Sequence, residues 1–326
     1  MEEKEVILEA KHLSKYFMTE NKGTVYAVRD VTFTLHENEV FGLVGETGCG
    51  KSTTGRAVLR LVEPTNGEVF FQGENILKLS EKEMRKKRKD IRMIFQDPFS
   101  SLDPKMTVGE IIGEPLRIHN TDKLDKSQIR QKVLNMMAKV GLREDHYYRY
   151  PHEFSGGQRQ RIGLARALIL NPQIVVCDEP VSALDVSIQA QVLNLIREMK
   201  EEMHNSYLFI THDMSVVHYI SDRIGVMYLG TIVEEAKTEE LFSTPLHPYT
   251  KALLSAVPDV DPHMKKERIV LQGEIPSPMN PPRGCVFHTR CPHCMEKCTT
   301  DIPFRREIEK GHYVSCHMYD KGRGEV

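Results

Sequence analysis

The chain has 326 residues, 40% hydrophobic and 28% charged, with a formal net charge of −2. Such a chain buries a core in one large domain or in two to three smaller ones. It does not fit a nucleic-acid protein that relies on bulk positive charge, and no apolar run reaches the roughly 18 residues needed to cross a bilayer.

The start, Met1-Glu2-Glu3-Lys4-Glu5, lacks the basic-then-apolar form of a secretion signal, so the expected compartment is the cytosol. Val6-Ile7-Leu8-Glu9-Ala10 reads as a first strand. Tyr16 and Phe17 are expected in the connection after it, as ordinary packing or as a stacking surface for a purine. Tyr26-Ala27-Val28 and Val31 to Leu35 read as two further strands. The apolar run Val40-Phe41-Gly42-Leu43-Val44 predicts a buried strand, and 52–61 has helix-compatible spacing.

Between them stands Gly45-Glu46-Thr47-Gly48-Cys49-Gly50-Lys51-Ser52-Thr53, which fits G-x-x-x-x-G-K-[ST]. Its glycines let backbone N–H groups turn onto an anion, and the following helix dipole adds to the attraction. Lys51 is expected on the β- and γ-phosphates and Ser52 on Mg²⁺. Asn66-Gly67 then predicts a hairpin turn. Ser80-Glu81-Lys82-Glu83 predicts a capped helix, whose basic run 85–89 reads as a solvated face. Ile91 to Gln96 reads as a strand.

From about 107 to 150 the pattern is helical. Val108, Ile111, Ile112 and Leu116 make one apolar face; Ile129, Val133, Met136, Met137 and Val140 make another. Ser155-Gly156-Gly157-Gln158 opens a helix expected to run to about Leu170, and it is a second phosphate-binding design. The buried strand 173–180 ends in Asp178 and Glu179, where open α/β sheets bind ligands. We assign Mg²⁺ to Asp178 and activation of the attacking water to Glu179. His212 ends the strand 207–211 and is a candidate γ-phosphate contact. Ile224 to Tyr228 and Thr231 to Val233 predict a hairpin around Gly230. Strands alternating with helices imply a parallel α/β sheet. Prolines 245, 248, 258, 262, 276, 278, 281 and 282 then mark a loop-rich extension.

Two phosphate-recognising helix starts in one chain point to a head-to-tail pair sharing two nucleotides, because a single site has no use for the second. With these motifs in order, residues 5 to about 245 resemble an ABC-transporter nucleotide-binding domain. Residues 45–53 match Walker A and Gln96 the Q-loop glutamine. Phe154 to Gln158 match the signature LSGGQ, with Phe at its first position. Residues 175–179 match Walker B, Ser182 to Asp185 the D-loop, and His212 the switch histidine. Phe17, with Tyr16 as the alternative, matches the aromatic that stacks on adenine. The resemblance implies a P-loop NTPase core (RecA-like) with an N-terminal antiparallel β subdomain and a helical subdomain at about 97–157. It implies domains at 1–245 and 246–326, with ATP and Mg²⁺ as cofactors and Ser52, Gln96 and Asp178 on the ion.

The tail stretches 246–254 and 273–278 resemble the C-terminal extension of dipeptide/oligopeptide importer ATPases. The expected function is therefore ATP-driven import of peptides. Nickel or oligosaccharide cargo is the alternative, and a soluble ABC ATPase acting on nucleic acid or ribosomes belongs to another class. The expected partners are a paralogous ATPase or a second copy, two membrane permeases and, indirectly, an extracellular substrate-binding protein, with no nucleic acid. The expected location is the cytoplasmic face of the membrane, peripherally.

Cys285, Cys291, Cys298 and Cys316 have that family's spacing, and four thiols in a reducing compartment suggest a metal site. Their chemistry suits zinc or an iron–sulfur cluster, and Cys291-x2-Cys294 near His288, His293, His312 and His317 is a further zinc arrangement. The resemblance implies a [4Fe-4S] cluster, with Cys294 outside the ligand set.

Overall fold

A computed structural model of the chain describes residues 5–19, 23–97, 101–119, 123–257 and 268–320. Met1 to Lys4, Pro98, Pro258 and Pro262 lie outside them. In chain order the elements begin with β1 (Val6–Met18), β2 (Thr24–His36), β3 (Val40–Val44), α1 (Lys51–Val58), β4 (Asn66–Phe71), β5 (Glu74–Asn75), α2 (Glu81–Lys87) and β6 (Ile91–Ile94). The helical stretch follows as α3 (Val108–Ile118), α4 (Lys126–Lys139) and α5 (Gly156–Leu168). Next come β7 (Ile174–Asp178), α6 (Val186–Met203), β8 (Ser206–Thr211), α7 (Met214–Ile220), β9 (Arg223–Tyr228) and β10 (Thr231–Lys237). The tail adds α8 (Thr238–Ser243), α9 (Pro248–Ser255), α10 (Glu296–Thr300), β11 (Arg306–Glu309) and β12 (His312–Val314).

The chain forms two compact units, each built from non-contiguous segments. The first comprises residues 1–7, 35–39 and 74–210. In it β6, β7 and β8 run parallel, with Ile91 opposite Ile174 and Ile174 opposite Ser206. Every residue of β7 is buried, as a strand covered on both faces requires. The helical stretch has both apolar faces that its sequence predicts: Val108, Ile111, Ile112 and Leu116 are buried, as are Ile129, Val133, Met136, Met137 and Val140. Thr107 and Asp125 cap these helices, each in a reciprocal box with the residue three further on.

The second unit comprises residues 8–34, 40–73 and 211–326. Its strand β3 is buried throughout and pairs in parallel with β9; β9 and β10 form the hairpin expected around Gly230. β1 and β4 pair antiparallel in the small sheet.

The structure corrects the sequence reading in four places. Tyr16 and Phe17 lie within β1 rather than in a connection, because β1 runs on to Met18. The two short strands expected from Tyr26 and Val31 are one strand, β2. Asn66-Gly67 makes no hairpin turn. It opens β4, and its register against β1 shifts between Lys11 and Ser14. A Cβ on Gly67 would lie 2.5 Å from the His12 carbonyl oxygen, so the glycine answers a close backbone approach. The pair of positive-φ residues comes later, at Gln72 and Gly73.

Finally, the proline-rich tail is more than loop. β12 pairs with β10, and Tyr249, Phe287, Cys285 and Cys298 share a buried cluster with Val44 and Val226.

Candidate functional site

The phosphate loop spans the turn from β3 into α1. Gly50 caps α1 at φ +107 and makes no side-chain cap hydrogen bond, so no cap side chain takes up the first N–H groups of the helix. An added Cβ on Gly45 would lie 2.1 Å from the Met227 carbonyl oxygen, and one on Gly50 would lie 2.1 Å from that of Ala27. Only glycine fits at either place. Lys51 is 3% exposed, and its ammonium donates to the carbonyls of Gly45 at 2.7 Å and Glu46 at 3.0 Å. The charge is thereby folded back over the loop. Cys49 is buried beside it. Burial pushes its thiol up from the ordinary range, against the opposing pull of Lys51 at 3.8 Å, so it is an inert packing residue.

Phe17 and Tyr16 differ in what they offer a base. Tyr16 packs edge-on against Tyr26, with ring centroids 4.9 Å apart. Phe17 is 39% exposed, with the Lys15 ammonium 5.0 Å from its ring. Phe17 is thus the aromatic with a face to present.

In the other unit, Asp178 closes β7 and is fully buried. Glu179 follows at φ +46, which turns its side chain away from the strand direction. Its N–H donates to the Ile210 carbonyl at 3.0 Å, and its carbonyl accepts the Ser182 hydroxyl at 3.1 Å. Gln96 donates its amide N–H to Glu179 Oε2 at 3.0 Å, so residues 83 positions apart meet. His212, just past β8 and within the second unit, is exposed.

Ser155 caps α5. Its hydroxyl accepts from the Gln158 N–H at 3.4 Å, and its own N–H donates to Gln158 Oε1 at 3.1 Å. Gly157 lets α6 close in, since a Cβ there would lie 2.4 Å from Ile188. Gly156 has ordinary space around it.

Of the tail thiols, Cys285, Cys298 and Cys316 are buried, Cys291 is half-buried, and Cys294 is exposed. All seven cysteines are unpaired thiols. Burial pushes Cys285 up to about 12 and Cys316 to about 11. Cys291 and Cys298 add to both shifts, and Cys316 adds to that of Cys285. Among the described residues, no three His, Cys, Asp or Glu side chains stand at metal-holding geometry.

Comparison with known proteins bears on these features together. Residues 28–182 match the ABC transporter family model, and residues 233–298 match the oligopeptide/dipeptide transporter C-terminal region. The putative oligopeptide transport ATP-binding protein YkfD of Bacillus subtilis (strain 168) is 55% identical over 315 residues, covering 96% of this chain and 95% of that protein. The oligopeptide transport ATP-binding protein AppF of the same strain is 53% identical over 324 residues, covering 97% and 98%. The chain belongs to the ABC transporter family. The dimeric post-hydrolysis structure of the ATP-binding cassette MJ0796, bound to ADP and Pi, superposes on this ABC cassette with a TM-score of 0.66. The two share 29% identity, over 71% of this chain and 98% of that one.

Two residues at this ABC cassette's phosphate loop escape sequence reasoning. The Glu46 N–H donates to the Tyr249 hydroxyl at 3.0 Å, and the Arg290 guanidinium grips the Glu46 carboxylate. Both come from the tail, Arg290 from 244 positions away. Tyr249 falls in the stretch 246–254 that resembles the importer-type extension, but nothing local ties either residue to the phosphate loop. The one hint is that Arg290 sits beside Cys291 in the cysteine pattern.

Proposed function

We propose that this ABC ATPase powers the import of peptides through a membrane transporter. The observation that carries this reading is the match to oligopeptide transport ATP-binding proteins along nearly the whole chain, tail included. Two cassettes pair head to tail, with the partner a paralogous ATPase and self-pairing the alternative. Each phosphate loop receives ATP, and Ser155 and Gly157 of the opposite cassette complete the enclosure. Lys51 leaves the loop carbonyls for the β- and γ-phosphates.

Phe17 stacks on adenine. Glu179, oriented by Gln96, takes the proton of the attacking water, and His212 meets the γ-phosphate. A wholly buried carboxylate at the C-terminal end of a parallel strand suits a cation, so Asp178 would hold Mg²⁺; Ser52 and Gln96 are assigned to the ion by their motifs alone. Once bound, the ion neutralises developing phosphate charge.

Closure of the pair moves two membrane permeases through the helical stretch that follows Gln96, so the subunit works peripherally on the cytoplasmic face. No helix among the described residues is long and apolar enough to cross a membrane. Residues after about 245 act as the importer-type extension. There Cys285, Cys291, Cys298 and Cys316 hold a [4Fe-4S] cluster, with zinc the alternative. Thiols suit such a group as donors, three of these four being buried and Cys291 half-buried, and once bound it would supply cross-links that close the segment.

Glu179→Gln keeps the hydrogen bond to Gln96 but removes the base. It is expected to bind ATP, to lose turnover by about 10²- to 10⁴-fold, and to accumulate as a dimer on size-exclusion chromatography with ATP. Undiminished hydrolysis would remove Glu179 from the mechanism. For cargo, peptides should stimulate the ATPase of the reconstituted transporter with its binding protein; stimulation by nickel or oligosaccharides alone would reassign it. Anaerobically purified protein should be brown, with absorbance near about 400 nm, whereas stoichiometric zinc without iron would overturn the cluster assignment.

A further inference from the structure

Arg290 lies one residue before Cys291, yet its guanidinium ends at the phosphate loop. Nη1 donates to Glu46 Oε2 at 2.8 Å and Nη2 donates to Oε1 at 3.3 Å, a two-pronged grip. The Arg290 side chain is 8% exposed and that of Glu46 is 25% exposed. A bidentate pair largely shielded from water fixes geometry in a way that an exposed ion pair does not.

Glu46 is held at its main chain as well. Its N–H donates to the Tyr249 hydroxyl and its carbonyl accepts from Lys51, each at 3.0 Å. The Tyr249 ring is itself locked, with Tyr228 and Phe287 centroids at 4.7 and 5.4 Å. Two of the four restraints on the residue after the loop's first glycine therefore come from the tail; the others are Lys51 and the Cys49 N–H, which donates to the Glu46 carbonyl at 3.2 Å. A phosphate that takes the Lys51 ammonium withdraws one of the two local restraints, leaving Arg290 and Tyr249, with the Cys49 N–H, to hold the first turn. Arg290 also offsets a carboxylate that would otherwise stand uncompensated beside an arriving polyanion.

We propose that Arg290 is a positioning residue for nucleotide binding: acting through Glu46, the C-terminal extension sets the phosphate loop of its own cassette. This rests on the ATPase reading above and adds a dependence of ATP affinity on a segment outside the family's nucleotide-binding motifs.

The test is ATP kinetics and nucleotide titration on the full chain with Arg290→Met, Arg290→Lys, Glu46→Gln and the Glu46→Gln/Arg290→Met double variant. Arg290→Met should raise the ATP KM about tenfold while changing kcat much less, and Arg290→Lys, which keeps the charge but loses the fork, should fall between. In the Glu46→Gln background the Arg290→Met effect should vanish, because the two residues act as one unit. A loss of tail packing alone would persist there. An Arg290→Met KM within about twofold of the parent's, or an equal rise in both backgrounds, overturns the proposal. If Arg290→Met does not fold, Arg290→Lys carries the same comparison. Lys51→Ala keeps the two ideas apart: if it binds ATP normally, the ATPase reading itself fails.

Discussion

Two helix starts in this molecule are built to meet phosphate, and they are built differently. At α1 the cap is Gly50, whose positive φ brings the chain round without placing any side chain over the helix end. At α5 the cap is Ser155, whose hydroxyl and N–H are engaged with Gln158 in a closed box. The first leaves its donors for a ligand. The second satisfies part of its own need, and a phosphate must compete with the Ser155 hydroxyl oxygen for the Gln158 N–H. The contrast fits a division in which α1 binds nucleotide in the single chain and α5 acts once a second cassette brings one to it. Anion attraction by a helix dipole is common to both, so the difference rests in the cap residue.

Breaking the contrast at its strong end gives the largest effect. Gly50→Ala places a methyl 2.1 Å from the Ala27 carbonyl oxygen at a φ that side chains avoid. Equilibrium titration with a fluorescent ATP analogue should show at least about a hundredfold loss of affinity. Gly156→Ala meets only Leu184 at 3.6 Å, and the same titration should be unchanged. Equal losses in the two variants would erase the distinction between the helix starts.

Ser155→Ala should act on turnover rather than on binding by the single chain. Steady-state hydrolysis should fall about ten- to a hundredfold, and thermal unfolding should report the missing cap at ~1 kcal/mol.

A smaller effect separates the tail's contribution from both helix starts. The buried His247 accepts the Tyr249 N–H on Nδ1 at 3.1 Å, which requires the neutral ring. Burial holds it down at about 4, against the raising influence of Glu234 and with a small lowering contribution from Lys251. An unfolded chain takes up a proton below the ordinary value of 6.5 that the folded chain refuses. Stability from this group is therefore complete above that value and is lost as pH falls towards about 4. His247→Asn still accepts from Tyr249 but does not titrate. The parent should lose ~1.5 kcal/mol more than the variant between about pH 6.5 and 5 in urea unfolding. Parallel pH profiles would remove His247 as the cause.

The sequence carried the local features well, because their physics is local. Apolar spacing alone names the buried faces of α3 and α4, and S-x-x-E names the Ser80 cap. The structure adds boxes at Thr107/Glu110, Asp125/Gln128 and Ser155/Gln158 that follow the same rule and that the sequence reading did not name. What failed depended on partners far along the chain. Asn66-Gly67 has hairpin chemistry, yet its glycine serves the His12 carbonyl approaching from β1. Tyr16 and Phe17 look like a connection, yet β1 lies between β2 and β4 in its sheet and runs on to Met18. The contact of Gln96 with Glu179 and the grip of Arg290 on Glu46 join residues that no window along the chain can show together. The proline count of the tail, finally, concealed a hairpin and a buried aromatic cluster.

The pairing of β12 with β10 bears on how the protein keeps apart from its neighbours. Without the tail, β10 would present a row of unpaired N–H and C=O groups, flanked by buried apolar residues, to any strand it met. With the tail, β12 covers the middle of that row at Glu234 and Glu235, and the outermost position passes to β11. Its four residues, Arg306 to Glu309, are all exposed, three carry charge, and its register slips between Glu307 and Glu309. A short, charged, irregular border of this kind is a poor template for edge-to-edge growth, so the extension also serves as protection against aggregation.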